Sequence, residues 1–372
     1  MTTNLHLTPC LLVAAGLASI GSLRADPRSV FFGTGGSGAR GIYRASFDRE
    51  AGRLGPAELA AEVGSPGFLA LHPRGSVLYA VAGPGAVAYR LEADGSLTLL
   101  NSEATGDGGA AHVAVHPSGR LLLTAQYGGG STAVFPLDDE GRLEKPTVHE
   151  HTGGSGVVKD RQEAPHPHWC GFSPDGRFAL VPDLGMDGIV IYRVDPETRT
   201  LSPHGVAASV PGGGPRHMRF SPDGKHIYLL NELSLSVTVF AWNAEPGTAE
   251  RLGTTPALTD EAKAAESSNS AAEILVHPSG AFVYSSNRGH DSVTVYRTRD
   301  GGRALDVIQV QPIRGALPRN IALDPSGRWL LAAGADSNTV AVHAVDPHTG
   351  RLTYQTKGII NVPAPICILF AP

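Results

Sequence analysis

The chain has 372 residues and a formal net charge of −5, and Gly and Pro together supply about one fifth of it. Helical bundles and coiled coils use few Gly and Pro residues, so this composition excludes them. A hydrophobic content of 41% argues against a disordered chain, and the net negative charge argues against a basic nucleic-acid-binding protein. What remains is a turn-rich globular protein with many short strands.

The first predicted element is an apolar segment, CLLVAAGLASI at residues 10–20, followed by small residues up to Ala25. It is too short to span a bilayer and is typical of a secretory signal peptide cleaved after Ala25. We therefore predict a signal peptide over residues 1–25 and export to the periplasm or the exterior. The alternative is a disordered apolar tail on a cytoplasmic protein. No later segment has the ~20 apolar residues that a membrane-spanning helix needs.

The rest of the chain repeats one short phrase, in which a proline turn separates two apolar runs. Its prolines are Pro73, Pro117, Pro174, Pro222, Pro278, Pro325 and Pro372, separated by 44 to 57 residues. In six of these phrases a Gly follows two residues after the proline, which favours a tight turn between two strands. Two further strands follow each hairpin, and four strands per repeat are typical of a propeller blade.

The seventh phrase lacks the three strands that should follow Pro372. The segments SVFFGTGG and GIYRASFD, and the strand after the turn DREAGRLG, supply them from the start of the mature chain. We therefore predict an all-β, seven-bladed β-propeller over residues 26–372, in which the N-terminal strands complete the C-terminal blade and close the ring. Closure removes the open sheet edges that promote aggregation.

Two repeats carry insertions, at residues 153–168 and 255–270, and propeller loops of this kind often carry function. Counting from the anchor prolines predicts which residues share the channel mouth opposite the proline turns: those at the start of each first strand and at the end of each second strand. Polar side chains there concentrate in blades three to six, and they are His166, His168, Arg216, His217, Glu232, Asn287, Arg288, Arg319 and Asn320.

These residue types indicate a site for a small anionic molecule with a carbonyl to be attacked or a proton to be removed. Arginine binds carboxylate and phosphate oxygens, histidine titrates near neutral pH, and a carboxylate can act as a general base. The alternative is that the groups satisfy one another around a water-filled channel. Cys170 and Cys367 are far apart and have no CxxC partner, so neither a disulfide nor a zinc site is predicted.

Specific motifs lie in the same stretches: PHPH at 165–168, DLGMD at 183–187, GPRH at 214–217, NELSLSV at 231–237 and SNRGHDS at 286–292. From about residue 30 to its C-terminus the chain resembles the seven-bladed-propeller lactonases. This family includes propeller-type 6-phosphogluconolactonases and fungal carboxy-cis,cis-muconate cyclases. The resemblance implies hydrolysis of a sugar-type lactone, as of 6-phosphoglucono-1,5-lactone to 6-phosphogluconate, or formation of a lactone in the cyclases, without metal or cofactor.

By motif, the resemblance implies the catalytic set His168 (or His166), Arg216, Glu232 and Arg288. The expected substrate-binding residues are His166, His217, Asn287, Arg319 and Asn320. In this hypothesis Arg216 and Arg288 bind the anionic group and polarise the lactone carbonyl. Glu232, with His168 or His217, then activates a water for attack.

The expected ligand is a small anionic lactone or sugar acid, bound by a monomer with no nucleic-acid partner and no membrane span. Two other functions stay open, a muconate-type cycloisomerase and a non-catalytic propeller that binds a small anionic ligand. The predicted export conflicts with a phosphorylated cytoplasmic substrate, so the sequence leaves the particular lactone open.

Overall fold

The computed structural model describes Met1 and residues 28–36, 38–266 and 268–371. Except for Met1, the predicted signal peptide therefore lies outside the described residues, and so does the last anchor, Pro372. In the described part of the chain, 29 strands form seven antiparallel sheets. Each sheet contacts the next through its two innermost strands, and the last contacts the first, so the sheets form a closed ring. The predicted seven-bladed propeller is confirmed.

The strands follow one another along the chain in blade order, after four that belong to the closing blade. Those four are β1 (Arg28–Thr34), β2 (Gly41–Asp48), β3 (Arg53–Leu54) and β4 (Glu58–Glu62). Blade one has β5 (Phe68–Leu71), β6 (Val77–Ala82), β7 (Gly85–Leu91) and β8 (Leu97–Ala104). Blade two has β9 (Ala110–Val115), β10 (Leu121–Gln126), β11 (Ser131–Pro136) and β12 (Thr147–Glu150). Blade three has β13 (Gly171–Phe172), β14 (Phe178–Asp183), β15 (Gly188–Asp195) and β16 (Thr200–Ala208).

Blades four to six carry the strands on which most of the predicted site lies. Blade four has β17 (Pro215–Phe220), β18 (His226–Asn231), β19 (Ser236–Asn243) and β20 (Thr248–Pro256). Blade five has β21 (Ser270–Val276), β22 (Phe282–Arg288), β23 (Ser292–Arg299) and β24 (Ala304–Pro312), and blade six has β25 (Pro318–Leu323), β26 (Trp329–Gly334), β27 (Thr339–Val345) and β28 (Leu352–Asn361). The last strand is β29 (Pro365–Phe370), and a short helix α1 (Asp260–Ala264) and a 3₁₀ turn (Asp300–Gly302) complete the described elements.

Blade seven closes the ring in the predicted way. Its innermost strand is β29, which pairs antiparallel with β1, and β1 pairs with β2. The seam is packed with apolar side chains: Val30, Phe32 and Ile368 are buried in one cluster with residues of blade six. The two ends of the propeller chain are therefore held together by both backbone hydrogen bonds and a shared core.

Each of the six proline phrases that the structure describes in full forms the predicted hairpin turn. In all six described turns the Gly nitrogen donates to the carbonyl three residues earlier, as Gly119 does to His116 at 2.8 Å. These glycines have φ between +70° and +74°, a region that residues with a side chain rarely adopt. The six turns each join the first strand of a blade to its second strand, so they follow the end of the first strand and not its start, where the predicted site lies.

The histidines that precede three anchor prolines link neighbouring blades at the turn end. His72 Nε2 lies 3.0 Å from the carbonyl oxygen of Gly119, His116 Nε2 lies 2.9 Å from that of Gly176, and His277 Nε2 lies 3.2 Å from that of Gly327. In each pair the glycine is the turn residue of the next blade. These side chains therefore have a structural role: each one bonds its blade to the next blade of the ring.

We expect His116→Leu to lower the free energy of unfolding by about 1–3 kcal/mol, because it leaves the buried Gly176 carbonyl without its donor. Urea unfolding monitored by tryptophan fluorescence measures this change. The matched control is His348→Leu at an exposed position, which should stay within about 0.5 kcal/mol of the wild type. Equal effects of the two substitutions would contradict the linking role.

Among the described residues, no helix is long and apolar enough to cross a membrane. Cys170 and Cys367 are both buried and unpaired.

Candidate active site

One cavity collects the residues that start the innermost strands. It has a volume of about 140 Å³ and is lined by Gly67, Phe68, Ala110, Ala111, His168, Arg216, His217, Arg319 and Ile366. Six of these nine lie six residues before an anchor proline, the position at which the sequence predicts a shared mouth. Larger depressions of about 600 and 610 Å³ lie at the turns of blades one to three and against the outer strands of blades two and three, and they contain none of the predicted site residues.

Beside the cavity, three arginines converge on Glu232, at the end of β18. Arg216 Nε donates to Glu232 Oε2 at 2.8 Å, and Arg288 Nη2 lies 3.1 Å from the same oxygen. Arg161 Nη2 donates to Oε1 at 2.8 Å. Arg216 also donates to the carbonyl of Ala272, and Arg288 to that of Ala271. Glu232 therefore fixes the arginines in place.

The charges in this cluster set the protonation of Glu232. Burial alone would raise the pKa of its carboxyl, but Arg216, Arg288 and Arg161 outweigh that effect and lower the pKa to about 2. Burial, aided by Arg288, lowers the pKa of Arg216 to about 9, which keeps the guanidinium charged at neutral pH. A carboxylate with both oxygens bonded to arginines is poorly placed to accept a proton from water. This geometry favours a positioning role for Glu232 over the water-activating role expected from the sequence.

Arg319 is the cation that the protein leaves unpaired at the cavity. Among the residues that the structure describes, its side chain has no hydrogen-bond or ion-pair partner. Burial, and then the charge of Arg288, lower the pKa of its guanidinium. An anionic ligand would strongly stabilise a buried arginine of this kind, because the ligand would supply the missing counter-charge.

His166 and His168 enter from the insertion at residues 153–168 and pack on Tyr127. The His166 ring stacks on Tyr127 with centroids 4.8 Å apart, and its Nδ1 lies 3.0 Å from the Tyr127 carbonyl oxygen. His168 borders the cavity, its Nδ1 is buried without a partner, and its ring lies 5.3 Å from that of Tyr127. Burial, and then the positive charge of Arg216, hold the pKa of His168 well below its usual value, so the ring is neutral. Of the two histidines, His168 is the one that borders the cavity.

His217 borders the cavity as well, and its ring bonds to a second buried carboxylate. Its Nδ1 lies 3.0 Å from Glu273 Oε1, and the two side chains are almost completely buried. Asn320 Nδ2 donates to the other Glu273 oxygen at 2.7 Å. Asn320 therefore contacts Glu273 and is linked to the cavity only through it. The Asn320 side-chain oxygen accepts a hydrogen bond from the Ile368 backbone N–H at 2.9 Å.

Asn287 is a predicted site residue whose side chain bonds within its own blade and not at the cavity. Its Nδ2 donates to Ser292 at 3.1 Å and to Thr294 at 2.9 Å, both on the neighbouring strand of blade five. Asn231 makes the equivalent two bonds in blade four, to Ser236 and Thr238. The shared pattern indicates that this position stabilises the end of the second strand.

Sequence reasoning missed three residues of the site: Arg161, Glu273 and Tyr127. Glu273 and Tyr127 both stand at counted positions, five before and ten after an anchor proline, so position alone could have found them. Arg161 lies in the insertion, where no repeat fixes the register. The sequence indicates only that Arg161 is a basic residue in a loop that is expected to carry function.

Asp187 anchors the insertion to the strand that carries Arg216. Its Oδ1 accepts from Gln162 Nε2 at 2.7 Å and from the Gly214 N–H at 2.9 Å, while Oδ2 accepts from the Gly212 N–H at 2.7 Å. Gln162 follows Arg161 directly, so one carboxylate positions both arginine-bearing segments. Asp187 itself has φ of +53°.

We expect Asp187→Asn to lower kcat/KM about 10- to 100-fold, because a small displacement of positioning groups has a large effect on rate. Asparagine tolerates the positive φ but presents an N–H₂ group where one carboxylate oxygen accepted hydrogen bonds. Initial rates of lactone opening measure the effect. Asp223→Asn, at an exposed turn position in blade four, serves as the control and should keep wild-type activity. Loss of stability with unchanged kcat/KM would contradict this anchoring role.

Comparison with known proteins places the chain in a family. The family model described as "Lactonase, 7-bladed beta-propeller" matches residues 29–370. The chain belongs to this lactonase family. It is 32% identical to the 6-phosphogluconolactonase of Bacillus subtilis, over 90% of this chain and 95% of that relative. It is also 32% identical to a 6-phosphogluconolactonase of Formosa agariphila, over 84% of this chain and 90% of that relative.

A solved structure of a lactonase extends this similarity to three dimensions. The periplasmic gluconolactonase of Pseudomonas aeruginosa matches with a TM-score of 0.86 and 27% identity, covering 93% of this chain and 99% of that one. The resemblance to lactonases is therefore confirmed at the level of the family. Within the described residues no cluster of three or more His, Cys, Asp or Glu side chains could hold a metal ion, and the expected metal-free, cofactor-free site stays a prediction.

Proposed function

We propose that this protein is a hydrolase that opens the ring ester of a sugar-type lactone. Membership of the lactonase family supports the proposal, as do relatives named 6-phosphogluconolactonase and gluconolactonase. The observation that carries it is the cavity in which Arg216 and Arg319 lie beside two neutral histidines, His168 and His217. Cationic donors next to uncharged proton acceptors suit water attack on a polarised carbonyl.

The arginines act on the oxygen that gains charge. Arg216 is held by Glu232 and the Ala272 carbonyl, and Arg319 has no competing partner in the described chain. When water adds to the lactone carbonyl, the oxygen becomes negative, and preorganised donors stabilise it by ~3–4 kcal/mol each. Because Glu232 holds Arg216 before the substrate arrives, little reorganisation is needed during the reaction.

A proton-release assay tests the proposed activity. Purified protein is supplied with glucono-1,5-lactone and, separately, with its 6-phosphate, and rates are corrected for spontaneous opening. We expect acceleration of at least one of the two lactones, and the ratio of kcat/KM values identifies the preferred one. A muconate absorbance assay runs in parallel. Turnover of muconate without lactone hydrolysis would point to a cycloisomerase, and binding without any turnover would point to a ligand-binding propeller.

We also propose that the protein is exported, which favours a substrate without the phosphate. The apolar segment at residues 10–20 and the small residues up to Ala25 support export, and the structurally similar gluconolactonase of Pseudomonas aeruginosa is periplasmic. Sequencing the N-terminus of protein recovered from cell fractions tests this. A mature chain that starts at Asp26 is the expected result, and a cytoplasmic chain that retains residues 1–25 would overturn it.

A further inference from the structure

A buried histidine–carboxylate pair lies at the inner end of the cavity. His217 is on β17 and Glu273 is on β21, so the pair joins blades four and five. Glu273 is fully buried. Besides His217, its carboxylate accepts from Arg219 Nη2 and the Ile274 N–H, each at 3.0 Å, and from Asn320 Nδ2 at 2.7 Å. With four donors around it, this carboxylate stays ionised and fixed in position.

These bonds decide which nitrogen of His217 carries the proton. An ionised carboxylate only accepts hydrogen bonds, so His217 Nδ1 must be the N–H that donates to Glu273. Nε2 of the neutral ring therefore has a free lone pair. This atom is buried and has no hydrogen-bond partner among the described residues, while His217 itself borders the cavity.

Charge and burial keep His217 neutral over the working pH range. The groups that face its ring are Glu273, Arg216, Arg219, His112 and His168. Burial lowers the pKa of His217 to about 4, although the Glu273 carboxylate acts in the opposite direction. At neutral pH the ring is thus a proton acceptor.

No other acceptor at the cavity is prepared in this way. Glu232 has both oxygens bonded to arginines. His168 has an unpartnered Nδ1, but among the described residues no carboxylate bonds to its ring and sets its tautomer. A carboxylate bonded to the second nitrogen fixes the tautomer and the orientation of a histidine base.

We propose that His217 is the general base that activates the attacking water and that Glu273 is its positioning residue, an inference that rests on the proposed lactone hydrolysis. Nε2 takes one proton from water as the water oxygen bonds to the carbonyl carbon. The tetrahedral oxyanion then collapses, the ring C–O bond breaks, and the ring oxygen receives the proton from His217. The carboxylic acid product ionises and releases one proton to solvent.

The first test replaces His217 by Gln, which can still donate a hydrogen bond to Glu273 and so leaves no buried carboxylate unpartnered. We expect kcat to fall about 10²- to 10³-fold with KM changed little, since general-base catalysis contributes rate enhancements of this size. The matched control is His343→Gln, a buried histidine on β27 that does not line the cavity and should keep activity within about threefold of the wild type. Circular dichroism and thermal unfolding verify that both variants fold.

The second test uses the pH profile, which a purely structural role of Glu273 would not move. Wild-type kcat/KM should fall as the pH decreases through the pKa of His217, because the protonated ring accepts no proton. Glu273→Gln removes the charge that raises this pKa, so the acid limb should shift down by roughly one pH unit or more. Lactone remaining is followed by NMR between pH 2.5 and 7, a range that includes the acid limbs expected for both proteins.

The outcomes separate this inference from the proposed function. A wild-type protein that opens no lactone would contradict the proposed function itself. If the wild type is active and folded His217→Gln turns over at the same rate, His217 is not the base. An unshifted acid limb in an active Glu273→Gln variant would overturn the positioning role, whatever its effect on stability.

Discussion

Arg216→Met should lower kcat/KM for lactone opening about 10³-fold, the upper end of the effect measured for loss of one preorganised oxyanion donor. The variant loses a cation that lines the cavity and is 1% exposed, and it removes one of the three arginines around Glu232. Methionine fills much of the same volume, so the cavity wall keeps its shape. Initial rates at neutral pH measure the effect.

The control for this prediction is Arg297→Met, at an exposed position on the outer part of blade five. It should keep wild-type rates, because its guanidinium lies over the Phe282 ring, away from the cavity. Thermal unfolding of both variants separates loss of catalysis from loss of structure. A folded Arg216→Met protein with kcat/KM within threefold of the wild type would refute the assigned role.

The second large effect concerns ring closure. Ile368→Asp should lower the free energy of unfolding by about 4 kcal/mol or more, because it puts a carboxylate without a counter-charge into a packed core. Ile368 is 7% exposed, pairs with Phe32 of β1 and belongs to the cluster that joins blades six and seven. Urea unfolding at neutral pH gives the value.

Leu99→Asp is the matched control. Leu99 lies on the outer strand β8 and is 62% exposed, so an aspartate there should change stability by no more than about 0.5 kcal/mol. Similar midpoints for the two variants would show that the seam between β1 and β29 contributes little to closure.

The fold was predictable because one physical signal recurs. Proline fixes φ and the following Gly accepts a positive φ, so each phrase marks a hairpin and also gives the register of its strands. That register identified His168, Arg216 and Arg319 as residues of one layer, and the structure brings these three together at the cavity. The closing strands followed from counting how many strands the last phrase lacked.

The rest of the site could not be predicted from the sequence alone. Asn287 directly precedes Arg288. Successive residues of a strand face opposite sides, so the two side chains lie in different surroundings. Glu232 has the right position for a base, but three arginines lower its basicity, and one of them, Arg161, comes from a loop without a register. Counting from the anchor proline gives the position of Glu273 as well. Its hydrogen bond to His217 could not be predicted in this way, because it joins two different blades.

The last strand of the propeller has a consequence for how the enzyme is made. The Ile368 N–H bonds to Asn320, Asn320 bonds to Glu273, and Glu273 bonds to His217. Synthesis on the ribosome produces β29 after the other strands of the propeller, so a nascent chain can present every charged side chain of the site and still lack this support. Full activity therefore requires translation to pass β29, and we expect an incomplete product that escapes degradation to turn over slowly.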